Sequence, residues 1–318
     1  MNGEYYMPKR IFVALSDYNE NAVALLKATG SDVVLNPSKQ RPTEEELKAI
    51  ARDFDVLIIG AKERMTTQIY DCVDRLRILG TLSVGVDHID GKFFNDRRFT
   101  VVNAPRANTI SVAEHTLGLM LCLAKRMLQG HQASCSHKGR SGLSALPIEL
   151  SGKTIGVIGA GSIGTEVMKL ASFLGMRILC FTFNPEKHRE LGQFAVEFVE
   201  LPELVRSSNI VTVHLPLTPQ SKGIVSSELI RNCVKNSIFV NTARPEIVDN
   251  RALVNGLQNG TIFGVGIDTD DSEIADLFKD LNNAIITPHV AGLTEEAIIR
   301  MDIQVAETVA KVIREGQR

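Results

Sequence analysis

The chain has 318 residues, enough for two domains of ordinary size, each able to bury its own core. Hydrophobic residues make up 44%, charged residues 23% and the formal charge is -2, which excludes disordered and fibrous classes and leaves no basic footprint for nucleic acid or an anionic membrane. Thirteen Phe, four Tyr and no Trp give little material for the stacking platforms of single-strand binders.

Apolar runs rich in β-branched residues alternate with segments of helical period along the whole chain, the pattern of βαβ units. In the first third, strands are predicted at Ile11 to Leu15, Val33 to Leu35, Val56 to Ile59 and Leu76 to Gly80, with helices around Asn21 to Thr29 and Thr43 to Arg52. Thr43 followed by three glutamates reads as an N-cap with acids in the first turn, where the helix dipole favours them. From Ser111 to Leu128 the apolar residues cover nearly every side of one long helix, which predicts a buried or interfacial element. Gln129 to Leu146 is predicted as an exposed connection. A second βαβ series follows, with strands at Thr154 to Ile158, Ile178 to Phe181, Ile210 to His214, Ile238 to Asn241 and Ile262 to Ile267, and a helix over the last 25 residues. Two doubly wound parallel α/β domains are the expected fold class.

The five cysteines, Cys72, Cys122, Cys135, Cys180 and Cys233, are scattered and form no C-x-x-C pair, so a reducing cytoplasm is expected rather than a disulfide framework or zinc ribbon. Met1 to Arg10 has no apolar leader core and no run of about 18 apolar residues occurs, so neither secretion nor membrane spanning is expected. His131, Cys135 and His137 lie close together but match no metal-ligand spacing, and no metal is expected.

The most informative segment is Thr154 to Gly164, an apolar strand running into Gly159-Ala160-Gly161-Ser162-Ile163-Gly164 and then a helix. Gly159 permits the tight turn, Gly161 lets the backbone approach a pyrophosphate, and Gly164 allows close helix packing. Ser162 and Ile163 open the helix, whose unpaired N–H groups attract the anion. The next strand ends at Phe181-Thr182, where an acid would hold the ribose 2′-hydroxyl of NAD. Thr182, with Asn184, Lys187, His188 and Arg189 nearby, leaves NAD and NADP both open. Ser151-Gly152-Lys153-Thr154 resembles the tail of a P-loop but lacks the glycine five residues earlier, where Pro147 stands.

Asn241-Thr242-Ala243-Arg244, Gly266-Ile267-Asp268 with Glu273, and Thr287-Pro288-His289-Val290-Ala291-Gly292 resemble the NAD(P)-dependent D-isomer-specific 2-hydroxyacid dehydrogenases. Val84-Gly85-Val86-Asp87-His88 is similar to that family's substrate-carboxylate loop, and Asn103-Ala104-Pro105 with Asn108 to Thr116 to its phosphoglycerate dehydrogenase branch. The resemblance implies a substrate domain of flavodoxin type from residues 1–103 plus 293–318, and a Rossmann cofactor domain, 104–292, inserted in it. It implies a short form without a regulatory domain, a homodimer built on the long helix, and hydride transfer between NAD(P) and a D-2-hydroxy or 2-keto acid. Candidate substrates are 3-phosphoglycerate, hydroxypyruvate with glycerate, and glyoxylate.

In that reading His289 is the acid/base, Glu273 its carboxylate partner, and Arg244 the cation that binds the substrate carboxylate and polarises its carbonyl. Asp268 accepts from the nicotinamide carboxamide; Thr242, Ala243 and Gly292 belong to the cofactor site. The amides of Ser83, Val84 and Gly85 cradle the substrate carboxylate. Two departures bear on geometry: Arg244 precedes Pro245 where the family has glycine, and Glu273 precedes Ile274 where it has proline. The alternative function is a nicotinamide-binding sensor or corepressor-like protein, whose turnover is incidental.

Overall fold

The computed structural model describes residues 9–316. Met1 to Pro8, on which the leader expectation partly rests, lie outside the described residues, as do Gln317, Arg318 and the Arg189 side chain considered beside Thr182. Internal contacts divide the chain into two compact units, one ending at Asn108 and resuming at Glu295, the other running Thr109–Thr294.

The first unit holds five parallel strands, β1 (Arg10–Val13), β2 (Asp32–Leu35), β3 (Val56–Ile59), β4 (Ile78–Thr81) and β5 (Thr100–Val102). Their order, β2-β1-β3-β4-β5, is that of a flavodoxin-like sheet. Because side chains alternate across a strand, Ile11, Val13, Val56 and Ile58 pack on one face with Ala22, Leu26, Val305 and Val309. Phe12, Leu57, Ile59 and Leu79 pack on the other face with Leu47, Ala51, Ile69 and Phe93. Both faces are covered, which is why these strands read as continuous apolar runs. The Thr43 cap forms as expected: its hydroxyl accepts from Glu46 N at 3.3 Å, and the Glu46 carboxylate accepts from Thr43 N at 2.7 Å.

The second unit holds seven parallel strands, β6 (Thr154–Ile158), β7 (Arg177–Phe181), β8 (Val196–Phe198), β9 (Ile210–Val213), β10 (Ser237–Asn241), β11 (Ile262–Asp268) and β12 (Ala284–Thr287). The order β12-β11-β10-β9-β6-β7-β8 contains the doubly wound dinucleotide arrangement with one further strand at an edge, and its direction of winding reverses between β6 and β9.

The predicted helix from Ser111 to Leu128 is two helices, Thr109–Ala124 and Met127–Cys135, and the second occupies much of the predicted connection. The break falls at Arg126, which adopts φ 51°. Its buried guanidinium lies 4.1 Å over the Phe263 ring and donates to Gln129 and Ser144 at 2.9 Å. That tertiary anchoring ends the helix without any local glycine or proline. Among the described residues no helix is long and apolar enough to cross a membrane, and no group of three metal-ligating side chains forms.

The terminal helix Glu295–Glu315 carries a buried acid, Asp302, whose carboxylate accepts from Asn19 N at 3.0 Å and whose carbonyl accepts from the Tyr18 hydroxyl at 2.8 Å. Burial pushes the Asp302 carboxyl up to about 6, the charge of Asp17 adds to this, and the Asn19 N–H opposes it. A raised carboxyl favours the folded state while protonated, so this contribution is present below about pH 4 and is lost as pH rises through about 6. Asp302→Asn keeps the acceptor and removes the charge. Thermal unfolding is therefore expected to show stabilisation by about 1–3 kcal/mol at pH 8 and little difference at pH 4.

Candidate active site

The candidate site residues of the second unit lie where its parallel strands end. Gly159, after β6, has φ 111°, outside the range of most L-residues, and donates its N–H to Phe181 O at 2.8 Å. A Cβ on it would lie 2.8 Å from the carbonyl of His214, and one on Gly164 would lie 1.9 Å from Gly159 O. A Cβ on Gly161 would meet nothing within 4 Å. The first and third glycines are thus required by packing, while the second faces open space at the start of helix Ser162–Phe173, which no side chain caps. Its first-turn N–H groups are free to donate to an anion such as a pyrophosphate. Thr182 follows β7 directly and is half-buried; Lys187 beyond it is exposed.

Thr242 and Ala243 follow β10. The Thr242 hydroxyl is 2.9 Å from that of Thr116, and Ala243 N donates to Asn241 Oδ1 at 3.0 Å. Arg244 has φ −136° and ψ 135°, the extended geometry that a following proline imposes, and its Nη1 donates to Ala243 O at 3.0 Å.

Asp268 ends β11 and is 3% exposed. Its Oδ1 accepts from the Thr287 hydroxyl at 2.5 Å and Val290 N at 2.9 Å, and its Oδ2 accepts from Ala291 N at 2.9 Å. Three donors on four lone-pair directions leave Oδ2 able to take one more. These bonds enclose the His289 turn, where His289 has φ 54° and donates its N–H to Thr287 O at 2.9 Å. Gly292 follows the turn and is half-buried.

Glu273 does not join His289. It is exposed, it lies in the first turn of helix Ser272–Phe278, and among the described residues its carboxylate has no hydrogen bond or ion pair. The helix starts so early because the Asp271 carboxylate caps it, accepting from Glu273 N at 2.9 Å and Ile274 N at 3.2 Å. A proline at position 274 would offer no N–H to that cap.

The residues expected to form the substrate loop, Ser83, Val84 and Gly85, belong to the first unit. The Ser83 hydroxyl donates to Gly85 O at 2.6 Å and lies 2.9 Å from the Thr81 hydroxyl, which is 2.9 Å from His88 Nε2. Asn103 Nδ2 donates to Val84 O at 2.9 Å. This bonding fixes the loop by its carbonyls and leaves the amides of Val84 and Gly85 without partners among the described residues. A pair of free backbone N–H groups beside a strand end is a site for an anion.

A family model described as D-isomer specific 2-hydroxyacid dehydrogenase, NAD binding domain, matches residues 117–291. The chain belongs to the D-isomer specific 2-hydroxyacid dehydrogenase family. Among its relatives, the D-3-phosphoglycerate dehydrogenase of Methanocaldococcus jannaschii is 36% identical over 93% of this chain and 56% of its own length. The chain therefore spans about half the length of that relative. The glyoxylate reductase of Thermococcus kodakarensis is 34% identical over 86% of this chain and 84% of its own. The structure of D-lactate dehydrogenase from Aquifex aeolicus complexed with NAD and lactic acid superimposes with a TM-score of 0.82 at 25% identity, covering 96% of both chains.

Sequence reasoning assigned no role to four residues that this family member places around the strand ends: His115, Thr116, Thr287 and His214. His115 Nε2 lies 3.0 Å from the Thr287 hydroxyl. His214 is buried with its Nε2 2.9 Å from Thr212 Oγ1, and burial pushes its imidazole down to about 3, so it stays neutral at physiological pH. A signal was present for His214, a histidine closing an apolar strand and followed by Leu215-Pro216.

The glycine contacts predict separable outcomes. Gly164→Ala is expected to lower unfolding stability by about 2 kcal/mol or more through overpacking. Gly161→Ala is expected to melt like the parent yet lose affinity for NADH in a fluorescence titration. Equal melting of both variants would contradict the packing argument.

Proposed function

We propose that this chain is an oxidoreductase transferring hydride between NAD or NADP and a D-2-hydroxy acid or its 2-keto counterpart, with Thr109–Thr294 as cofactor unit and the remainder as substrate unit. The observation that carries the reading is the co-location, at the C-terminal ends of the parallel strands of one sheet, of an uncapped glycine turn and a buried carboxylate that organises the His289 turn. The residues present fit a dinucleotide: Gly161 faces open space and Asp268 Oδ2 retains capacity for an amide N–H.

A bound nicotinamide supplies the hydride acceptor in oxidation and the donor in reduction. His289 takes the hydroxyl proton on its imidazole in oxidation and returns it to the carbonyl oxygen in reduction. Arg244 binds the substrate carboxylate and draws electron density from the carbonyl. In the substrate unit, the Val84 and Gly85 amides are assigned to an anionic group of the substrate by the loop's resemblance and by their unpaired N–H groups. Glu273 holds the motif position of the partner of His289, and that role requires its exposed carboxylate to leave the place it occupies here, where it makes no contact with the imidazole. The relatives named phosphoglycerate dehydrogenase and glyoxylate reductase favour small acids such as 3-phosphoglycerate and glyoxylate. All five cysteines are free, which suits a reducing cytoplasm.

The test is absorbance at 340 nm with NADH or NADPH against hydroxypyruvate, glyoxylate, pyruvate and phosphohydroxypyruvate. Oxidation with at least one pair is expected, and His289→Asn is expected to lower kcat by about a hundredfold or more with cofactor affinity nearly unchanged. Cofactor binding without turnover on any acid would favour the sensor.

The same reading includes a homodimer. Ile110, in helix Thr109–Ala124, and Met127 and Leu128, which open the next helix, are about half exposed and Leu146 is 82% exposed, apolar surface that a second copy would cover. Light scattering is expected to give twice the 34.9 kDa chain mass at micromolar concentration; a monomer would refute it.

A further inference from the structure

The face that helix Thr109–Ala124 turns to β11 has an unusual regularity. Leu119 and Leu123, four residues apart, pack over Gly266 and Gly264, two residues apart: a Cβ on Gly266 would lie 3.2 Å from Leu119 Cβ, and one on Gly264 would lie 3.0 Å from Leu123 Cδ2. Four helical residues rise about 6 Å and two strand residues about 6.6 Å, so the two ladders stay in step. One step further, the pairing brings His115 to Asp268. His115 Nε2 lies 3.9 Å from Asp268 Oδ1 and 3.0 Å from the Thr287 hydroxyl that stands opposite Asp268 in the β11–β12 register.

The direction of the chain of bonds follows from the inventory of protons. An ionised carboxylate only accepts, so the single Thr287 hydroxyl proton goes to Asp268 Oδ1. The contact with His115 then uses a Thr287 lone pair, and His115 Nε2 carries the hydrogen. His115 donates to Thr287 and Thr287 donates to Asp268.

We infer that His115 is a positioning residue for the nicotinamide end of the cofactor, acting through Thr287 to hold Asp268 with Oδ1 saturated and Oδ2 presented to the carboxamide. The inference rests on the dehydrogenase reading. His115 touches neither substrate nor reacting atoms; it sets the rotamer of the group that does the presenting, and the same carboxylate frames the His289 turn. The two glycines of β11 serve this arrangement by letting the helix approach closely enough for the imidazole to reach.

The test compares dissociation constants for NADH and for ADP-ribose, or their 2′-phosphorylated forms if NADPH is preferred. His115→Leu is expected to weaken NADH about five- to tenfold, the worth of one buried hydrogen bond, and to leave ADP-ribose within about twofold. His115→Gln, which keeps an N–H at the end of its side chain, is expected to recover most of the loss. Thr287→Val should reproduce the leucine phenotype with His115 intact, and the double variant should be no weaker than the worse single one. Parallel weakening of NADH and ADP-ribose, or a His115→Leu protein that binds NADH like the parent, overturns the inference. A parent protein that binds neither NADH nor NADPH overturns the dehydrogenase reading itself and the inference with it, an outcome distinct from a null result among the variants.

Discussion

A carboxylate that is 3% exposed has to find its hydrogen bonds inside the protein, and Asp268 finds three. One donor is the last residue of β12 and two are backbone amides just after His289, so a single buried charge ties together a strand end, its neighbouring strand and the candidate catalytic turn. The four-residue edge strand β12 gains a defined register from it, because a slip of one residue would carry the Thr287 hydroxyl to the opposite face of the sheet. His289 sits at positive φ, a conformation that histidine tolerates better than most residues, and the amides on its C-terminal side are held by the same carboxylate.

The other half of the site depends on where the sheet changes its direction of winding. Between β6 and β9 the chain leaves in opposite directions, so the space beyond their ends is not covered by a crossover. Gly159 turns there at positive φ against the carbonyl of His214, and His214 in turn is buried neutral against Thr212. The open start of helix Ser162–Phe173 is therefore placed by a contact between two strands, at the same C-terminal ends of the sheet where Thr242 follows β10 and Asp268 ends β11.

Strands buried on both faces were legible as apolar runs, and β1, β3, β6, β9, β10 and β11 follow from them directly. The short edge strands β5, β8 and β12 were not, although β2, of similar length and also at an edge, was read from its Val33-Val34-Leu35 run; three or four residues leave little pattern to separate a strand from a loop. The phosphate-binding turn was legible because each glycine is required by something local. The end of the long helix was not: Arg126 breaks it by stacking on Phe263, more than 130 residues later in the chain, and no local residue type announces such a contact. His115 is an intermediate case. Its four-residue spacing with Leu119 and Leu123 matches the two-residue spacing of Gly264, Gly266 and Asp268, but the match means something only once helix and strand are known to be neighbours.

Glu273 shows how a motif position and a local structure can compete for the same residue. Asp270, Asp271, Ser272 and Glu273 form an acidic approach to a helix, and the acid one residue outside the helix takes the cap because it can reach two first-turn amides. Glu273 is then drawn into the first turn of that helix. With proline at position 274 one of those amides would be missing and the cap would lose a bond; with isoleucine there the cap is complete and the helix begins at Ser272. The consequence reaches the histidine: its turn is held by backbone amides on a buried aspartate, so the geometry of His289 depends on β11 and β12 more than on the segment that carries Glu273.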